Sequence, residues 1–142
     1  MDLKIWWDED SDTATIVTTP AELDEVLTRA SALDYAIVLE ILDANDPGRV
    51  ILDVGLDGPN GVLYYSGGEH KDGYFSKNND ADLSSSERVM YDYMTNGREY
   101  PATAVCNVGI VFQAAREYME SDGARPTVVD WQPRSVLRQA SN

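Results

Sequence analysis

The residues able to do chemistry are few, and their spacing limits what they could do. His70 is the only histidine, and it follows Gly67-Gly68-Glu69 in a stretch that reads as an exposed turn. Glu69 or Asp72 could orient its imidazole, but a catalytic base also needs a nucleophile, and no nucleophile motif lies nearby. A surface turn histidine is the expected role. Cys106 is the only cysteine and stands just before a helical segment. A helix N-terminus lowers a thiol pKa, yet the apolar neighbours favour a structural, unreactive side chain. One cysteine makes no internal disulfide, and no CxxC or Cys/His cluster offers a zinc site. The run Asp8-Glu9-Asp10-Ser11-Asp12 lacks the glycine and closing glutamate of a calcium loop. Gly67-Gly68 is followed by no Lys-Ser or Lys-Thr, so it is no phosphate cradle. No cofactor, no metal and no catalytic set is expected, and the chain does not read as an enzyme.

What remains is carboxylate and tyrosine. The 142 residues carry 25 Asp+Glu against 11 Lys+Arg, for a net charge of −14. Residues 1–70 hold 15 of the acids and 3 of the bases, whereas residues 71–142 hold 10 and 8. Such a field repels nucleic acid and anionic membrane, and it attracts basic proteins and speeds their encounter. Tyr64, Tyr65, Tyr74, Tyr91, Tyr93 and Tyr100 fall in or beside strand-like runs. Alternation turns some of these inward and leaves the others as amphipathic anchors for an interface. Trp6, Trp7 and Trp131 read as core or sheet-edge packing.

These residues must be held by a single domain. The length and the 43% hydrophobic content suit one packed core over residues 1–133, with residues 134–142 as a loose tail. No apolar leader follows Met1, and no run is long enough to span a bilayer, so a soluble cytoplasmic protein is expected. Thr19-Pro20-Ala21-Glu22 is the clearest local signal. Threonine caps the helix, proline takes its first position, and Glu22 reaches back to the cap's N–H. Leu23, Val26, Leu27 and Ala30 then share one face of a helix over about 20–32. Asn107 caps a second helix carrying Ile110, Val111, Ala114, Ala115 and Tyr118, and Gly123 stops it. Between and around the helices lie short β-prone runs separated by Asn45-Asp46-Pro47-Gly48, Asp57-Gly58-Pro59-Asn60-Gly61, Gly67-Gly68, Asp72-Gly73 and Asn96-Gly97. A last strand is expected over Thr127–Trp131. The expectation is an α+β fold, a single curved antiparallel sheet of about seven strands with two helices packed on it.

The order of these pieces resembles the Imm1 family of bacterial immunity proteins of polymorphic toxin systems. The resemblance rests on Val17-Thr18-Thr19-Pro20-Ala21-Glu22-Leu23-Asp24, on Val62-Leu63-Tyr64-Tyr65-Ser66-Gly67-Gly68, and on Arg116-Glu117-Tyr118-Met119 through Arg125-Pro126-Thr127-Val128-Val129-Asp130-Trp131. It implies a non-enzymatic antitoxin that binds a cognate toxin tightly and occludes its active site; the acidic charge adds that the toxin is basic, and a stable one-to-one complex is expected. A zinc-dependent nucleic-acid deaminase is the toxin class it implies. The alternatives are an acidic nucleic-acid mimic or adaptor for a different basic protein, and an enzyme using Glu69, His70 and Asp72. No contact residue carries over by motif, so charge and aromaticity select them. They are Asp8, Glu9, Asp10 and Asp12 in the N-terminal acidic loop, Asp57, Glu69, His70, Asp72 and Tyr74 in turns 57–61 and 67–74, which are expected to project into a concave site on the partner, and Tyr65 on the strand-like run between those turns.

Overall fold

A computed structural model describes residues 1–137. Among them are β1 (Leu3–Trp6), β2 (Thr15–Val17), α1 (Pro20–Ser31), β3 (Ile37–Asp43), β4 (Val50–Asp57), β5 (Asn60–Gly67), β6 (His70–Lys77), β7 (Arg88–Tyr93), β8 (Asn96–Pro101), β9 (Cys106–Asn107), α2 (Val108–Glu120) and β10 (Asp130–Pro133). The strands form one sheet in the order β10-β6-β5-β4-β3-β1-β2. Neighbours along that path are antiparallel, and the short turns joining β3 to β4, β4 to β5 and β5 to β6 require this of those pairs. The β7–β8 hairpin lies off the path and touches it through one parallel bridge, Ile37 to Asp92. The α+β architecture with two helices agrees with the reading above, and among the described residues the count rises to ten strands, several of them only two to four residues long.

Alternation on β3 and β4 divides the sheet's two faces. Ile37, Leu39, Ile41, Val50, Leu52, Val54 and Leu56 turn toward the helices and meet Leu23, Val26, Leu27 and Ala30 of α1 and Val111, Ala114, Ala115 and Tyr118 of α2. Each fully buried Leu or Ile here contributes ~1.5–3 kcal/mol by leaving water. The Tyr118 hydroxyl, deep in this layer, donates to the Ile41 carbonyl at 3.1 Å. On the other face Val38, Val62, Phe75, Tyr91, Tyr100 and Ala104 form a second, smaller cluster beneath the β7–β8 hairpin. Gly55 makes that packing possible: a Cβ there would lie 2.5 Å from Val62 and 2.9 Å from the Tyr91 ring.

Both helix caps form. Thr19 Oγ1 accepts from the Glu22 N–H at 3.2 Å, and Asn107 Oδ1 from the Gly109 N–H at 2.8 Å. Glu22 departs from the expected pattern by reaching one residue further, to the Thr18 N–H at 3.2 Å and the Thr18 hydroxyl at 2.8 Å. Three other expectations are corrected. Asn96-Gly97 is not the hairpin tip: Tyr93 pairs with Asn96, and Met94 and Thr95 turn the chain at φ 48° and 72°. This register pairs Tyr91 with Arg98 and Val89 with Tyr100, brings the Tyr91 and Tyr100 rings into diagonal edge contact at 5.6 Å and carries Arg98 to the sheet, so packing outweighs the local preference of the turn. Asp72-Gly73 lies inside β6 rather than in a turn, where Gly73 (φ 82°) yields to the Tyr64 hydroxyl that would sit 2.3 Å from any Cβ. The last strand begins at Asp130, because Thr127 is held instead by Glu117 of α2, whose Oε2 accepts from the Thr127 N–H at 2.5 Å.

Of the segment expected as a loose tail, residues 134–137 are tied to the body. The Arg134 N–H donates to the Gly73 carbonyl at 3.1 Å, and Arg88 Nη2 to the Leu137 carbonyl at 2.8 Å. Residues 138–142 lie outside the described residues.

Candidate functional site: the acidic end of the sheet

Strand direction decides which loops meet. β1 runs against β3 with Trp6 opposite Glu40, so the chain leaves β1 toward the Ile37 end of the sheet. β4 reaches the same end, with Leu56 opposite Ile37, and turns through Gly58-Pro59 into β5. Gly58 takes φ 58°, which the first position of this two-residue turn requires. α1 delivers the chain to this end through residues 32–36, and the Asp92 N–H donates to the Ala36 carbonyl at 2.9 Å. The outcome is a surface built from four separate segments. It presents Asp8, Glu9, Asp10, Asp12, Asp34, Asp57 and Asp92, all exposed, around Tyr35, which is 41% exposed.

The loop that carries the densest acids is shaped by its own hydrogen bonds. Asp8 Oδ1 accepts from the Asp10 N–H at 3.0 Å, and the Ser11 N–H donates to the Asp8 carbonyl at 3.1 Å. Among the described residues, none of these seven carboxylates joins an ion pair. Their charges converge instead. The Tyr35 hydroxyl pKa is raised, first by partial desolvation and then by Glu9, Asp92, Asp10 and Asp34. Burial pushes the Tyr91 hydroxyl up to about 12, with Asp57 adding to the effect. Arg29, in the last turn of α1, lies over the Trp7 ring at 5.5 Å. Unpaired carboxylates of one sign around an amphipathic ring make a surface that steers cations toward it, within about 8 Å at physiological salt.

The structure brings Asp8, Glu9, Asp10, Asp12 and Asp57 together and separates them from the other five residues selected from the sequence. Turns 57–61 and 67–74 cap opposite ends of the eight-residue β5, roughly 25 Å apart at strand rise. Glu69 is exposed at the far turn, and Asp72 is exposed on β6. His70 is half-buried and edge-on to the Tyr65 and Tyr74 rings, at 6.0 and 5.6 Å, rather than free in a turn. Tyr74 is half-buried beneath the Arg125 guanidinium at 5.0 Å. Tyr65 is no surface anchor at all. It is 3% exposed, and its hydroxyl donates to the Gly123 carbonyl at 2.6 Å. Asp34, Tyr35 and Asp92 are not among the residues that charge and aromaticity single out in the sequence. The Asp34-Tyr35 pair between α1 and β3 was a readable signal, whereas Asp92 joins only through the parallel bridge.

Cys106 is held by Gly61, whose carbonyl lies 3.7 Å from Sγ, and burial pushes its thiol up to about 11, the opposite of a nucleophile's shift. Among the described residues no group of three or more His, Cys, Asp or Glu side chains is placed to hold a metal ion, and no helix is long and apolar enough to cross a membrane. Fold and surface together define an α+β domain whose distinctive feature is an anionic face suited to a protein partner.

The family described as Immunity protein Imm1 matches residues 11–133, most of the chain. The chain belongs to the Imm1 family of immunity proteins. No curated protein matches it.

Proposed function

We propose that this protein is a cytoplasmic antitoxin that binds a cognate bacterial toxin one-to-one and inhibits it by occluding its active site. The toxin class we favour is a nucleic-acid deaminase. Such an enzyme needs a basic groove for its substrate backbone, and an acidic inhibitor places carboxylates where phosphates would lie. The observation that carries this reading is the convergence of Glu9, Asp10, Asp34 and Asp92 on exposed Tyr35 at one end of the sheet. Steering by that end accelerates capture, and desolvated aromatic contacts then slow release. Membership in an immunity family supports the same role.

The test is co-expression with the polypeptide encoded immediately upstream, followed by size-exclusion chromatography and a growth-rescue assay. The expected result is a co-eluting complex that restores growth. The same complex is expected to be lost when Asp8, Glu9, Asp10 and Asp12 are together replaced by lysine. Unchanged toxin activity in the presence of excess wild-type protein would overturn the reading for that toxin.

A further inference from the structure

The face of the sheet away from the helices carries a second arrangement. Register places Glu40, Asp53, Tyr64 and Phe75 side by side across β3, β4, β5 and β6. Arg98 of β8 hangs over this row. Its Nη1 donates to Asp53 Oδ2 at 3.0 Å and its Nη2 to Glu40 Oε2 at 3.4 Å, while its guanidinium lies 4.0 Å from the Tyr93 ring centroid. A groove of about 390 Å³ opens here, lined among others by Glu40, Asp53, Tyr64, Phe75, Arg98 and Tyr100.

Two features of the groove have no structural purpose in the fold alone. The Asp53 side chain is only 7% exposed, yet its Oδ1 has no hydrogen-bond partner. A buried carboxylate oxygen left unpaired is unfavourable, and packing alone gives no reason to keep it. The charges are also unequal, since two carboxylates share one guanidinium. Fastening the hairpin to the sheet needs one acidic partner for Arg98, and Glu40, which is partly exposed, supplies it.

We infer that this groove seats an arginine side chain of the toxin, whose guanidinium pairs with Asp53 Oδ1 and Glu40 beside the partly exposed Tyr64 ring while Arg98 keeps Asp53 Oδ2. A planar guanidinium suits both parts of the site: the fork matches a carboxylate, and the flat face stacks on aromatic walls as Arg98 already does on Tyr93. Oδ1 is covered in the free protein, so seating that guanidinium requires Arg98, which is 34% exposed, to shift while keeping its bond to Oδ2. The inference rests on the toxin-binding reading and adds to it a point of specificity distinct from the acidic end.

A proton accompanies this binding. Burial pushes the Asp53 carboxyl up to about 7, with Arg98 opposing and Glu40 reinforcing. Glu40 of β3, Tyr93 of β7 and Arg98 and Tyr100 of β8 act on or feel Asp53, and Tyr64, Glu99 and Arg134 line the same groove. An arriving cation favours the ionised carboxylate and releases its proton, so affinity rises with pH through about 7.

Two experiments test the inference on the full chain. In the first, Nα-acetyl-L-argininamide is titrated while side-chain and backbone NMR signals of Glu40, Asp53 and Arg98 are followed. The neutral citrulline analogue serves as control. Argininamide is expected to shift these signals and the analogue to leave them in place, and Asp53→Asn, which keeps the side chain's shape, is expected to weaken binding about tenfold or more. Equal shifts from both compounds, or none from either, overturn cation recognition. In the second, affinity for the toxin encoded upstream is measured across pH for wild type, Asp53→Asn and Glu40→Gln. A loss of about tenfold in each variant, with the pH dependence gone in Asp53→Asn, supports the inference. Wild-type affinity and an unchanged pH profile in both variants overturn it while leaving the immunity reading intact. Absence of any complex with the wild-type protein overturns the immunity reading, and the inference with it.

Discussion

At one end of the sheet Asp43 accepts from Arg49 Nε at 3.0 Å and from Arg49 Nη2 at 2.8 Å, and the same guanidinium reaches the Asp122 carbonyl at 3.0 Å. At the other end Glu9, Asp10, Asp34 and Asp92 act on Tyr35 without a cation of their own among the described ion pairs. The same residue types therefore do opposite work. The Asp43 carboxyl is held below its ordinary range, first by the Asn45 N–H and then by Arg49, because the fold binds its charged form. Its stabilising contribution is present above the unfolded value of 3.8 and is lost as pH falls through the lower folded value. The carboxylates around Tyr35 repel one another and contribute little to the fold. Replacing them should alter association and spare stability, whereas replacing the paired ones should do the reverse.

The largest effect expected is on association. Replacing Asp8, Glu9, Asp10 and Asp12 by lysine removes the densest part of the steering field. The stopped-flow association rate with the toxin should fall by about 10- to 1,000-fold at low salt, with the thermal midpoint nearly unchanged. A rate that stays at the wild-type value would mean that the acidic end does not face the partner.

Asp53, between the two ends, comes next. The unfolded carboxyl ionises near 3.8 and the folded one near 7. Between those values the unfolded state binds fewer protons, so wild-type stability declines as pH rises and levels off above about 7. Asp53→Asn should flatten that decline and be more stable than wild type at alkaline pH, because it keeps the side chain's shape without the ionisation that burial opposes. Urea unfolding across pH measures this, and an unchanged slope would place the titration elsewhere.

Arg49→Ala should lower stability by about 1–2 kcal/mol near neutrality, a modest figure because its side chain is 35% exposed. The acid limb of the stability curve should become shallower, and toxin affinity should not move. Tyr65→Phe removes the hydroxyl bonded to Gly123 and should cost about 1 kcal/mol in denaturant unfolding, again without effect on binding. The smallest effect is expected from Glu69→Lys with Asp72→Lys. Both positions are exposed and join no ion pair among the described residues, so stability should stay within about 0.5 kcal/mol and affinity within about tenfold. A larger affinity loss here than in the acidic loop, measured by calorimetry, would exchange the roles of the two ends.

Local signals were legible where physics acts over a few residues. Thr19-Pro20-Ala21-Glu22 and Asn107 mark helix starts because caps satisfy orphaned N–H groups within one turn, and both caps form where expected. The apolar stripes of α1 and α2 are buried as their spacing implies. Legibility failed where a distant segment overrode a local preference. Asn96-Gly97 is the better hairpin tip, but the contact of Tyr91 with Tyr100 moves the turn to Met94-Thr95. Gly73 reads as a turn glycine and is instead the clearance for a tyrosine one strand away. Of two adjacent tyrosines on β5, Tyr64 is partly exposed on one face and Tyr65 is buried on the other, and nothing in the residues themselves says which face the helices cover.

The sequence by itself determined the class of the protein: two capped helices, many short strands, one histidine, one cysteine and a net charge of −14. These follow from residue type and near-neighbour spacing, which act without knowledge of the rest of the chain. Only the tertiary structure decided which carboxylates stand together. Strand direction carries Asp57 and Glu69 to opposite ends of β5 while bringing Asp57 to the same end as the distant Asp8–Asp12 loop. Sheet register, likewise, sets Asp53 beside Glu40 and under Arg98, 45 residues away. Coulomb forces depend on distance in space, and antiparallel pairing sets that distance with little regard to separation along the chain.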